Sequence, residues 1–154
     1  MNNLEIRYCE DIGQWAIDRK ISTSCVWKTE FCDKTCYNNK LFDIYPAMHG
    51  KDDRNENQWK TITGEQFKTV FNRKKKGIKN RFRFMTRGEC FDTVESVHKV
   101  HDILVNNPDT QFWIITRAWR DAFIGDGEVL AAINTLIKPL QNARLQASLD
   151  PSNT

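Results

Sequence analysis

The sequence predicts an α/β fold: a parallel four-stranded, half-barrel-like sheet of βα repeats, with a long insert after the first strand. Two observations predict it. Short apolar runs alternate with segments of helical periodicity, and those segments carry start and stop signals. Strands that alternate with helices pair in parallel through right-handed crossovers. At 154 residues the chain suits a single domain, 1–154.

The elements follow in order. "QWAIDRKIST" (14–23) is the first expected strand. A cysteine-bearing segment comes next, and then a polar insert over 38–62. A structureless loop of that length is uncommon inside a domain, so the insert is expected to be ordered. "TGEQFKTVFNRKKKG" opens with a capping box, Thr63 with Gln66. Phe67, Val70 and Phe71 share one helical face, and Gly77 is the natural stop. "RFRFM" (81–85) is the second strand. In "DTVESVHKVHDILVNNP", Asp92 and Glu95 are read as a second capping box, Val94, Val97, Val100 and Leu104 as the inner stripe. "QFWIIT" (111–116) is a buried strand, by its continuous apolar run. A third helix is expected from Asp126 to Pro139, and a fourth strand over 143–150.

Composition narrows the functional classes. With 40% apolar and 28% charged residues the chain reads as an ordinary globular protein. Its net charge of +3 neither demands nor excludes a nucleic-acid partner. There is no signal-peptide pattern and no apolar run of membrane-spanning length, so a cytoplasmic location without membrane partners is expected. Thiols stay reduced there. Five cysteines are also an odd number for a disulfide framework.

"SCVWKTEFCDKTCY" places Cys25, Cys32 and Cys36 within twelve residues. In a parallel sheet, chemistry gathers at the carboxyl ends of the strands. The triple-cysteine segment follows strand 1, and Cys90, in "RGEC", follows strand 2. All four thiols are thus expected on one rim. Fe–S clusters are commonly held by four thiolates. A structural zinc also accepts four, usually as two close pairs, and only Cys32 and Cys36 make one here. Iron–sulfur, zinc and simple buried thiols all remain open on spacing alone. Cys9, before strand 1, reads as a free or core thiol.

The Cys-x6-Cys-x3-Cys-Tyr pattern resembles the signature of the phage "gene product 88" family. "RFRFMTRGECFDTVESVHKVHDILVNNPDTQFWIITRAW" is similar to that family's later strand, Gly-acid turn, helix and Thr-Arg order. The family is distantly like the radical S-adenosylmethionine barrel. The resemblance implies a small iron–sulfur protein, 4Fe-4S first and zinc second, with the cluster on Cys25, Cys32, Cys36 and Cys90. A site closed by four cysteines favours a structural, redox or partner-binding role over catalysis. An enzyme with an open cluster iron is the alternative, and there Gly88-Glu89 would stand where the radical enzymes receive the methionyl amino group. The location then becomes the host cytoplasm, and a host protein a candidate partner.

The remaining candidates each have an ordinary reading. His101 fits the core edge, His98 the surface, and His49 a substitute ligand in the insert. Glu89 suits a helix N-terminus as well as a ligand. Arg117 and Arg120, after strand 3, suit either an anion at the rim or solvent. Arg73, Lys74, Lys75, Lys76 and Lys79 form a basic run that would suit nucleic acid, with structural zinc in the module. Cations are also routine at a helix C-terminus, so this partner is the less favoured one. Two bare sheet edges point to a homodimer, or to the insert as their cover.

Overall fold

A computed structural model describes residues 4–74 and 80–153, the side chain of residue 153 excepted. The expected stop at Gly77 and the cations Lys75, Lys76 and Lys79 lie outside the described residues. The sheet has five strands rather than four, in the order β1 (Arg7–Cys9), β2 (Gln14–Ile17), β3 (Arg81–Phe84), β4 (Gln111–Thr116) and β5 (Ala143–Ala147). The four expected strands run parallel, and the added β1 pairs antiparallel with β2. Sequence gives β1 only three residues of signal. Its hairpin turns on Gly13, whose φ of +62° is open to glycine at no steric cost. One of the two edges expected to be bare is therefore occupied.

Strand alternation sorts the faces. Phe82, Phe84, Phe112 and Ile114 are fully or almost fully buried. They pack on the helices α5 (Gly64–Asn72) and α6 (Val94–Asn106), where Phe67 and Phe71 complete the aromatic centre. Ring centroids of Phe67, Phe71 and Phe82 lie 5.1–6.0 Å apart, in edge and tilted contacts. The Thr63–Gln66 capping box is present. At α6 the cap moves one residue, to Thr93, whose hydroxyl accepts from Ser96 N. Asp92 is withdrawn from capping because Arg19 holds its carboxylate at 2.7 Å. The third expected helix begins as α8 (Glu128–Ala132) and ends in a π turn, Ile133–Ile137, after the short α7 (Asp121–Ile124).

The first strand ends at Ile17, not at residue 23, because the next residues serve another purpose. Asp18 and Arg19 are almost wholly buried. Beyond them lie α1 (Ile21–Ser24) and α2 (Glu30–Thr35), of which α2 buries no residue. The polar 38–62 stretch is helical, as α3 (Tyr37–Ile44) and α4 (Ala47–Thr61). α4 turns a polar stripe inward: Asp52, Asn55, Glu56 and Trp59, at helical spacing. Glu56 holds Arg19 through two bonds, Oε1–Nη2 at 2.6 Å and Oε2–Nε at 3.2 Å. Asp52 holds Arg87 in the same forked way, at 2.7 and 3.0 Å. Arg19 also lies 5.3 Å over the Trp59 ring.

Asp18 ties these pairs together. It accepts from Arg7 Nε at 3.1 Å, Arg87 N at 2.8 Å and the Thr86 hydroxyl, and it pairs with Arg87 Nη2 at 3.2 Å. Burial alone would raise its carboxyl, but Arg87, Arg7 and these donors outweigh burial and hold it below the usual value near 3.8. A depressed carboxyl contributes stability above its unfolded pKa and loses it as pH falls through the folded value.

Two outcomes follow for stability. Asp52→Ala leaves Arg87 only Asp18 and Glu56→Ala leaves Arg19 only Asp92, so each should cost about 1–3 kcal/mol in urea unfolding. The paired change Asp52→Leu with Arg87→Met should cost clearly less than Asp52→Ala, and equal costs would show that the pair is not the source. In acid titration, the stability gap between the native chain and Asp18→Asn should be full above about pH 4 and close progressively below it. A gap that stays constant down to pH 3 would remove Asp18 from the acid response.

Candidate functional site

The carboxyl ends of β2 to β5 and the segments that follow them enclose a cleft of about 410 Å³. The loop after β2 brings Cys25, Cys32 and Cys36 to its wall, the loop after β3 brings Gly88 and Glu89, the end of β4 brings Thr116 and Arg117, and the loop after β5 brings Asp150. The three expected thiols therefore line one cleft, with Cys25 before α2, Cys32 on it and Cys36 at its end. Thr29 starts α2 by accepting from Cys32 N at 2.9 Å, and its hydroxyl donates to Asp150 at 2.6 Å. That bond ties the cysteine segment to the far strand. Cys36 begins α3.

Cys25 carries an electrostatic mark at the wall. Its thiol is pushed up to about 12 by burial first, then by Glu89 and by the thiols of Cys32 and Cys36. Thiolates brought to one wall repel one another unless a cation compensates them. Asn38 stands beside them. Its amide nitrogen is 3.7 Å from Cys36 Sγ, and its buried Oδ1 has no partner in the protein. An orphaned polar atom in the wall fits a site that takes a ligand. Among the described residues, no three His, Cys, Asp or Glu side chains are gathered tightly enough to grip a single ion.

Glu89 reaches the cleft but is held firmly from behind. It accepts from the Thr116 hydroxyl at 2.7 Å, Arg117 N at 2.8 Å and Phe91 N at 3.2 Å. Burial raises its carboxyl against these donors. Gly88 before it has φ +84°, and a Cβ there would meet Arg19 O at 2.6 Å. The turn thus requires glycine for both space and conformation. Arg117 pairs with Asp150 at 2.9 Å, whose carboxyl is held low by Ser152, Thr29 and Arg117 although burial acts the other way.

The other expected residues are placed as follows. Cys90 does not line the cleft; it is fully buried in the apolar core, where burial raises its thiol first and Glu89 second. The reason is local: after the Gly88 turn, Glu89 lines the cleft and the next side chain joins the core. Arg120 Nη1 donates to the carbonyls of Trp27 and Lys28 at 2.7 and 2.9 Å, which braces the cysteine loop. His49 is exposed and stacks on Phe42 at 4.2 Å, away from the thiols. His98 is exposed and His101 half-buried. Arg73 and Lys74 are exposed where α5 ends. Cys9 lies on β1, half-buried, and Arg7 Nη1 donates to its sulfur at 2.7 Å. Sequence reasoning missed Thr29, Asn38 and Thr116, which have no motif of their own. It missed Asp52 and Glu56 too, though their spacing of four within a polar helix was a readable signal.

No helix among the described residues is long and apolar enough to cross a membrane. No curated protein and no solved structure matches the chain. The family model described as gene product 88 matches residues 5–154. That span takes in every strand of the sheet and the whole cysteine cleft, and the chain belongs to the gene product 88 family.

Proposed function

We propose that this chain is an iron–sulfur protein whose cluster sits in the cleft on Cys25, Cys32 and Cys36, with one iron position facing the open space. The observation that carries the reading is the convergence of these three thiols, and of no fourth, on the cleft wall at the carboxyl ends of parallel strands. A bound cluster supplies an electron carrier and a Lewis-acidic iron at that position. The protein's own groups do the rest. Asn38 donates to the Cys36 sulfur. Thr29, fixed by Asp150, presets the α2 backbone that carries Cys32. Arg120 holds the loop carbonyls between Cys25 and Cys32. A cluster spreads its thiolates over several irons, whereas a zinc ion at about 2.3 Å from each sulfur needs them close together. The spread of thiols here suits the cluster better. Cys90 is left out of the ligand set because its side chain belongs to the core.

One observation favours a catalytic second reading. Glu89, Thr116 and Arg117 line the same cleft as the thiols, so a small molecule could reach both the open iron position and a fixed carboxylate. An amine-bearing ligand such as S-adenosylmethionine suits that pairing. Without such binding, the cluster acts as a redox or structural group.

Protein purified without oxygen should be brown and contain iron and sulfide in equal amounts. Cys25→Ser, Cys32→Ser and Cys36→Ser should each abolish the colour, while Cys9→Ser and Cys90→Ala retain it. Colourless protein carrying one zinc per chain would sink the iron assignment, and colour lost in Cys90→Ala would restore a closed four-cysteine site. Addition of S-adenosylmethionine should alter the electron paramagnetic resonance spectrum of the reduced cluster under the catalytic reading, and leave it unchanged otherwise.

A further inference from the structure

The sheet has a second face, opposite the helices. Register aligns Arg83, Trp113 and Arg144 in one row across β3, β4 and β5. Arg81 lies two residues before Arg83 on the same strand. Toward the amino ends of the strands, Gln14, Arg81, Gln111, Trp113, Arg144 and Gln146 line a shallow hollow of about 480 Å³. The strands β2 to β5 contain no Asp or Glu at all. Among the described residues, none of Arg81, Arg83 and Arg144 forms an ion pair. The Arg83 guanidinium lies 5.1 Å over the Trp113 ring, and its Nε is buried without a partner. The Gln14 Oε1 is likewise buried and unpartnered. Trp113 is fixed in place, since its Nε1 donates to Gln146 Oε1 at 3.0 Å.

We propose that this open sheet face binds single-stranded nucleic acid. Three unpaired guanidinium groups on an acid-free surface call for anions from outside. A second copy does not supply them: an isologous pairing through this face sets arginine against arginine. An acidic peptide would bring charge but no planar groups for the Arg83–Trp113 stack. An unpaired strand brings both. Its bases stack on the indole and on the guanidinium plane, and its phosphates meet Arg81 and Arg144. The dimensions agree, since Arg81 and Arg83 are about 6.6 Å apart along the strand and the Arg83–Trp113–Arg144 row advances about 4.8 Å per strand. A duplex keeps its bases stacked inside and offers nothing to this platform. The surface takes in Arg81 and Arg83, the last two cations of the stretch that begins at Arg73, and the inference does not depend on the cluster.

The test is fluorescence anisotropy of a labelled twelve-nucleotide strand, DNA and RNA, with the protein as purified and across a salt series. Binding should weaken linearly on logarithmic axes as salt rises, and Arg81→Ala and Arg144→Ala should each lower the slope by about 0.7. Trp113→Ala should weaken binding at least about fivefold, and Arg83→Lys should do so while keeping the charge. Lys68→Ala, on the exposed side of α5, should change nothing. Arg81 and Arg144 are exposed, so their variants fold whatever becomes of the stack. No binding at low salt, binding unchanged from the native chain in both Arg81→Ala and Trp113→Ala, or duplex bound as tightly as single strand would each overturn the proposal. So would a dimer in solution that Arg83→Glu dissociates.

Discussion

The buried pairing of arginines from the sheet with acids from α4 is the constraint on which the rest depends. Arg19 and Arg87 leave the ends of neighbouring strands and point away from solvent. An unpaired guanidinium in that position would cost several kcal/mol. Two carboxylates on successive turns of α4 satisfy both, and this fixes α4 across the strand ends. Because α3 is joined to α4 by only two residues, fixing one places the other. With α3 comes Cys36, and with Arg19 comes the start of the loop that carries Cys25. The geometry of the thiols is thus inherited from an ionic contact that touches none of them.

The cleft and the open face divide the sheet's chemistry by position along the strands. At the carboxyl ends, loops close over the sheet and gather thiols, a buried carboxylate and an orphaned amide. Toward the amino ends no loop intervenes, and the strands present arginine, glutamine and tryptophan directly. Arg83 and Thr86 stand at the cleft wall, while Arg81, two residues earlier, stands in the hollow. One strand therefore links both surfaces, without any change of backbone path.

The strand and helix alternation was legible because it rests on periodicity, which survives in single residues: Phe82 and Phe84 face the helices as the alternation requires. The Thr63 capping box was legible for the same reason. The convergence of Cys25, Cys32 and Cys36 followed from parallel topology alone. Cys90 did not, because the direction of a side chain after a tight turn depends on the turn, and Gly88 rotates the next two residues to opposite sides. Composition concealed α4, since its inward stripe is polar where core stripes are expected to be apolar. β1 was hidden by its length of three residues and by a charged neighbourhood.

The helix α2 sits over the cleft yet buries none of its residues. It buries no apolar anchor of its own and is held by the Thr29–Asp150 bond, the Arg120 bonds to the carbonyls just before it, and surface pairs such as Lys28–Asp33 at 2.8 Å. Segments with so little burial open at small free-energy cost, independently of the global fold. Anything gripped by Cys32 and Cys36 closes that local equilibrium by mass action. The empty and loaded chains then differ in susceptibility to cutting between Trp27 and Tyr37 as well as in overall unfolding. A cell's proteases can therefore distinguish the two forms, and turnover itself becomes a readout of whether the cleft has been filled.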